Sequence, residues 1–159
     1  MLKYFNHDIV FQEFPDEITL AINLARCPNA CPGCHSAFLQ GDIGEELTEE
    51  RLFALIDSYI DEITCVGLMG GDNDPARVGE LHAAVKQKYG SKLHTGWYSG
   101  REALPEDFSP EAFDYVKVGP YRAAFGPLSS PTTNQRLYRV VHPADTFEDI
   151  TCRMAKKTF

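Results

Sequence analysis

An α/β fold on a mostly parallel sheet is what this sequence predicts, from three observations. Apolar stretches of strand length alternate with stretches of helical periodicity between residues 17 and 118, the pattern of parallel βαβ units. The strand-like stretches run out into Gly70-Gly71-Asp72, Ser99-Gly100 and Gly119-Pro120, turn chemistry that collects along one edge of such a sheet. A chain of 159 residues, 43% hydrophobic and 24% charged, suits one domain, 1–159, with a single sizeable core.

Taken in order, Ile9-Val10-Phe11, a Pro15-Asp16 turn and a following strand make a hairpin-like N-terminal extension. In that strand Ile18, Leu20, Ile22 and Leu24 alternate, which marks a half-buried strand. Thr48 is placed to cap a helix, with Glu49 and Glu50 at its positive end. Leu52, Leu55, Ile56 and Tyr59 form its inner stripe. Ile63 to Met69 reads as a buried strand, in which Cys65 is a small apolar core residue. Asp74 caps a second helix with Pro75 at its first position. Val78, Leu81, Val85 and Tyr89 face inward, and Gly90 ends it. Lys92 to Tyr98 is a third parallel strand, Ser109-Pro110-Glu111 opens a short helical turn, and Tyr115 to Val118 is a fourth strand. Residues 123–135, with Gly126, Pro127 and Pro131, read as a long loop, and Leu137 to Val141 as a last strand.

Charge and cysteine usage narrow the class. The net charge of -8 disfavours nucleic acid, since phosphate binding needs clustered Lys and Arg, and only Lys156-Lys157 make a pair. No apolar run is long enough to span a bilayer. Met1 to Val10 contains Lys3, Asn6, His7 and Asp8, which is no signal peptide. The expected compartment is therefore the cytoplasm. Five cysteines, an odd number, do not make a disulfide framework.

Cys27, Cys31 and Cys34 form a C-x3-C-x2-C group directly after the first buried strand. Pro28, Pro32 and Gly33 within it disfavour a regular helix and favour a loop wrapping its thiolates around a centre. Three thiolates would leave one iron of a 4Fe–4S cluster open to a small molecule. A zinc site completed by His35, or three unligated thiols, are the other readings. The loop hangs from a strand end on the same edge as Gly70-Gly71-Asp72, Ser99-Gly100 and Gly119-Pro120, where open α/β sheets bind ligands. Asp72 there either meets a ligand's ammonium group or caps the next turn.

These residues resemble a known superfamily. Cys27, Cys31 and Cys34 match the cysteine signature of radical S-adenosylmethionine enzymes, and Gly70-Gly71-Asp72 looks like their Gly-Gly-Glu motif. Gly33-Cys34-His35, Lys117-Val118-Gly119-Pro120-Tyr121 and Ser130 to Arg136 narrow the resemblance to the activating proteins of the anaerobic (class III) ribonucleoside-triphosphate reductase. It covers roughly residues 8 to 141. Gly33 stands where many superfamily members carry an aromatic residue, and Asp72 is one methylene shorter than Glu.

The resemblance implies an incomplete (β/α) barrel of the radical S-adenosylmethionine type, with an open side. It implies a 4Fe–4S cluster on Cys27, Cys31 and Cys34, with S-adenosylmethionine beside Gly70, Gly71, Asp72, Ser99 and Gly119. Trp97, Tyr98 and Ser99 would line an adenosine pocket, although Trp97 in a strand is also a core residue. Arg101, Lys117 and Arg122 are candidates for the cofactor's carboxylate or for a partner surface. No catalytic residue beyond the cluster ligands is implied. The implied activity is an oxidoreductase that generates a glycyl radical on the reductase, with a one-electron donor protein as a second partner. The alternatives are a small-molecule enzyme of the same superfamily or a non-catalytic zinc or iron–sulfur module. His7, His82, His94 and His142 are isolated, and Cys152 is a spare thiol.

Overall fold

A computed structural model describes residues 1–25 and 41–155. The candidate ligands Cys27, Cys31, Cys34 and His35, and the Lys156-Lys157 pair, lie outside the described residues. The strands are β1 (Lys3–Val10), β2 (Thr19–Leu24), β3 (Glu45–Glu46), β4 (Cys65–Met69), β5 (His94–Tyr98), β6 (Tyr115–Val118), β7 (Arg136–Val141) and β8 (Thr146–Asp149). The helices are α1 (Glu49–Tyr59) and α2 (Pro75–Tyr89).

All eight strands join one sheet in the order β3-β1-β2-β4-β5-β6-β7-β8. Three pairings are parallel, β2–β4, β4–β5 and β5–β6. The other four, β1–β2, β1–β3, β6–β7 and β7–β8, are antiparallel. This corrects the expected fold class: the sheet is mixed and mostly antiparallel, not a mostly parallel (β/α) barrel. The reason lies in the connections. A parallel return needs a crossover, and only two α-helices occur among the described residues, one before β4 and one before β5. The chain leaves β6 through turns rich in Gly and Pro and comes back antiparallel as β7. A second reversal adds β8. The order ends at β3 and β8, which do not pair with each other, so the sheet stays open.

Alternation along the central strands sorts two cores. Leu20, Ile22, Leu24, Val66, Leu68, Trp97 and Val116 pack with Leu52 and Ile56 of α1 and with Val78, Leu81 and Val85 of α2. Both helices begin as the sequence dictates. Thr48 Oγ1 accepts the Arg51 N–H at 3.1 Å, and Asp74 Oδ1 accepts the Arg77 N–H at 3.4 Å. The other face carries Cys65, Met69, Tyr98 and Tyr115, closed by Phe14, Leu137 and Ile150. Phe14 is fully buried there. It fits because Gly67 and Gly96, directly opposed across β4 and β5, leave a socket for its ring. A Cβ on Gly96 would lie 2.3 Å from Phe14 Cζ.

Candidate functional site

The carboxyl ends of β4, β5 and β6 come together as the sequence predicts, and β2 ends on the same edge just before residue 26. Gly70 and Gly71 follow β4 with φ of 104° and 95°, and Gly119 follows β6 with φ of 105°, a region that suits glycine. The expected reason for these glycines was ligand approach, but they make room for the chain itself. A Cβ on Gly71 would stand 2.7 Å from Val78 Cγ2 and 3.0 Å from Leu24 Cδ1. One on Gly119 would stand 3.0 Å from Gln135 Cα. Position 71 seats α2 on the sheet, and position 119 lets the 130–136 segment close on β6.

Asp72 is 5% exposed and works across the strands. The Ser99 hydroxyl donates to its Oδ1 at 2.6 Å, and the Gly100 N–H donates to Oδ2 at 2.8 Å. Ser99 Oγ in turn accepts the Arg101 N–H at 3.1 Å. Backbone bonds extend the line: Ser99 N–H to Lys117 O at 2.8 Å and Gly119 N–H to Arg101 O at 2.6 Å. Asp72 thus clamps the end of β4 to the end of β5, while Asp74 caps α2. Of the two roles the sequence left open for Asp72, capping the next turn falls to its neighbour.

A cavity of about 260 Å³ opens beside this clamp. Asp72, Ser99 and Arg101 give it a polar side, and Trp97, Leu104 and Pro105 an apolar one. The Trp97 indole N–H donates to Gly70 O at 2.6 Å, so the ring is core with one edge at the cavity. Tyr98 cannot share that pocket. It points to the opposite face, stands edge-on to Phe14 with centroids 5.2 Å apart, and donates its hydroxyl hydrogen to Glu13 O. Burial pushes its phenol well above the usual range. Lys117 lies on that same far face. Its Nζ donates to Gly119 O at 3.1 Å and sits 5.3 Å from the Tyr98 ring centre. Arg122 pairs with Glu102 at the surface. Of the three expected cationic candidates, only Arg101 reaches the cavity.

The expected cofactors are corrected here. Among the described residues no three His, Cys, Asp or Glu side chains are grouped to hold a metal ion. The two described cysteines sit in different elements: Cys65 is buried in β4, and Cys152 is exposed in the last turn. Burial, then the charge of Glu17, raises the Cys65 thiol well above its ordinary value, which suits an inert core residue. Among the described residues nothing is grouped to hold a 4Fe–4S cluster, and neither the cluster nor S-adenosylmethionine is carried further.

Sequence reasoning missed a cluster at the other end of the parallel strands. Glu17 is buried, and both its oxygens face His94 Nδ1, at 2.6 and 3.2 Å, while Thr64 Oγ1 donates to Oε2 at 3.0 Å. Asp114 pairs with Lys86, accepts the Thr95 N–H at 2.8 Å and lies 3.2 Å from His142 Nε2. His142 Nδ1 is 2.6 Å from Asp145. Strand register could have paired His94 with Cys65, but nothing local joins Glu17 to residue 94. No family model, no curated protein and no solved structure matches this chain.

Proposed function

We propose that this chain is an activating enzyme, an oxidoreductase of the cytoplasm, whose substrate is another protein: a glycyl radical enzyme, with the anaerobic ribonucleoside-triphosphate reductase as first candidate. One observation carries the reading. The two segments that resemble the reductase activators, Lys117 to Tyr121 and Ser130 to Arg136, pack on each other at the carboxyl ends of the parallel strands. The Asn134 amide donates to Pro120 O at 3.0 Å, Thr133 and Gln135 are buried, and Gly119 gives the approach its clearance. The loop between them is compact, with Thr132 Oγ1 donating to Phe125 O at 2.8 Å, and it leaves Phe125 exposed. An ordered, exposed loop beside a ligand edge is where a partner protein is met.

The reaction takes one hydrogen atom from a glycine Cα of the partner and leaves the radical there. The acceptor is a carbon-centred radical, released when one electron from a donor protein breaks a bond of a small organic precursor whose other fragment leaves with the electron pair; the hydrogen atom ends on that carbon. The chain positions the reactants and keeps water out. The cavity lined by Asp72, Ser99 and Arg101 favours one second reading, a small-molecule enzyme using the same edge.

The test mixes anaerobically prepared protein, the reductase from the same genome and dithionite. A deproteinised anaerobic cell extract supplies the small ligand. A glycyl doublet in the electron paramagnetic resonance spectrum, absent when either protein is omitted, is the expected result. No doublet, together with no binding between the two proteins, removes the activating reading. A metabolite of the extract consumed by the chain alone would put the small-molecule reading in its place.

A further inference from the structure

On the outer side of α2 lies a second cavity, of about 470 Å³. One wall is α2 itself: Pro75, Ala76, Gly79, Glu80, Ala83 and Lys86 line it. Those positions recur on one helical face over three turns, a length of about 16 Å. The facing wall is the segment between β5 and β6. Phe108 and Phe113 stack there with centroids 4.8 Å apart, and Trp97 lies against both. The result is a trough, floored by aromatic rings and walled by small side chains. It joins the cavity at Asp72, since Pro75, Trp97 and Pro105 line both.

The trough is open where the fold itself needs no space. A Cβ on Gly79 would meet nothing within 4 Å. Glycine is a poor residue for a helix interior, and here no neighbour among the described residues requires it. The uncommitted charge around the trough has one sign. Lys86 is taken by Asp114, and Arg77 and Glu80 pair at 3.0 Å. Asp107 and Glu111 make no ion pair among the described residues. The chain as a whole carries -8, which opposes a second copy of itself in this place.

We propose that this trough docks a cationic amphipathic helix of a partner protein. An elongated trough suits an elongated occupant. Apolar side chains at helical spacing enter over the aromatic floor, the small residues of α2 let the two helices come close, and flanking Lys or Arg reach Asp107 and Glu111. The proposal does not rest on radical chemistry, so its test needs neither the reductase nor a reductant.

The probe is a fluorescein-labelled peptide about four helical turns long, with Leu at i, i+3, i+4 and i+7 spacing and Lys elsewhere. One control peptide has Glu in place of Lys. Another keeps the composition and scrambles the Leu positions. Anisotropy titrations at about 0.1 M salt should show the Leu/Lys helix binding about tenfold or more tightly than either control. Gly79→Leu should reduce that binding about tenfold while the melting temperature holds or rises, because the new side chain fills the trough and favours the helix. Asp107→Lys with Glu111→Lys should weaken binding and flatten its salt dependence, with the fold intact. Equal binding by a folded Gly79→Leu variant overturns the proposal, as does equal binding of the scrambled peptide. Sedimentation showing a dimer that Gly79→Leu dissolves overturns it in favour of a second copy.

Discussion

The two ends of the central parallel strands are held by different means. At the carboxyl end one buried carboxylate, Asp72, gathers a hydroxyl and a backbone amide, and the Trp97, Ser99 and Lys117 side chains add bonds to backbone groups. At the amino end charged side chains hold the elements: Glu17 to His94, and Asp114 to Lys86 and His142. The first arrangement spends few side chains on the fold and leaves Arg101 and a cavity beside the clamp. The second commits its ionisable groups to one another. A cluster of titratable residues alone would point to the amino end as the active one. Their hydrogen bonds are filled within the fold, as those of Asp72 are, so these groups already have a structural task.

The largest expected effect tests the carboxyl end. Asp72→Ala removes the acceptor of the Ser99 hydroxyl and the Gly100 N–H in a buried site. Losing two charge-assisted bonds and stranding their donors should cost about 3 kcal/mol in denaturant unfolding. Because the site is buried, that loss should be the same at low and at high salt. A loss under about 0.5 kcal/mol would mean that the clamp contributes nothing.

Asp114→Ala makes the matching cut at the amino end. It removes the partner of Lys86 and His142, whose side chains are 23% and 33% exposed. We expect about 2 kcal/mol, most of it from the stranded Thr95 N–H and the stranded Lys86 charge. About 1 M salt should shrink this difference. If Asp114→Ala proved salt-insensitive and Asp72→Ala salt-sensitive, the contrast drawn between the two ends would be reversed.

A third cut separates a buried group from both ends. His82 of α2 is fully buried, with Nε2 2.7 Å from Gly96 O. Desolvation lowers its pKa from the usual 6.5 to about 4. Its folded value lies below its unfolded value, so between those pH values the unfolded chain binds a proton that the folded chain refuses. Stability therefore falls with pH across that window, by about 3 kcal/mol at its lower end. The same unfolding series on His82→Leu should lack this part of the acid loss. An unchanged acid slope would show that His82 is protonated inside the fold.

Local signals in the sequence read through to the structure, and distant ones did not. Helix α2 was legible almost to the residue. Its cap Asp74, first-turn Pro75, inner stripe and terminal Gly90 are all decided within the segment. The meeting of the strand ends at Gly70-Gly71, Ser99-Gly100 and Gly119 was legible for the same reason, because glycines at strand ends announce themselves. The direction of the strands after β6 was not. Whether β7 runs parallel or antiparallel depends on how the 119–135 loop folds, and Gly126, Pro127 and Pro131 mark turns without saying where they lead. β8 was not foreseen at all. The Phe14 socket needs Gly67 and Gly96 to be opposed across two strands, a matter of register that no window of sequence contains. The role of Asp72 needed its two donors on β5, reached through the whole of α2.

The smallest expected effect sharpens the comparison at the amino end. His94 is half-exposed and gains Glu17 as a partner, chiefly through the hydrogen bond to Nδ1 and then through the carboxylate's charge. Both raise its pKa above the usual 6.5, against a desolvation cost. With the folded value above the unfolded one, the stabilisation is complete below 6.5 and is lost as pH rises through the folded value. This slope is opposite in sign to that of His82, so the two histidines bracket the pH of greatest stability. Glu17→Gln keeps the shape, can still accept from Thr64, and removes the charge. The His94 ring protons, followed by NMR, should then titrate at lower pH than in the unmodified chain. The alkaline loss of stability should flatten with it. The effect should be modest, because water screens a half-exposed pair. A His94 titration that Glu17→Gln leaves in place would show that the pair seen at 2.6 Å does not set the charge of His94. The amino end would then be held by Asp114 and its partners alone.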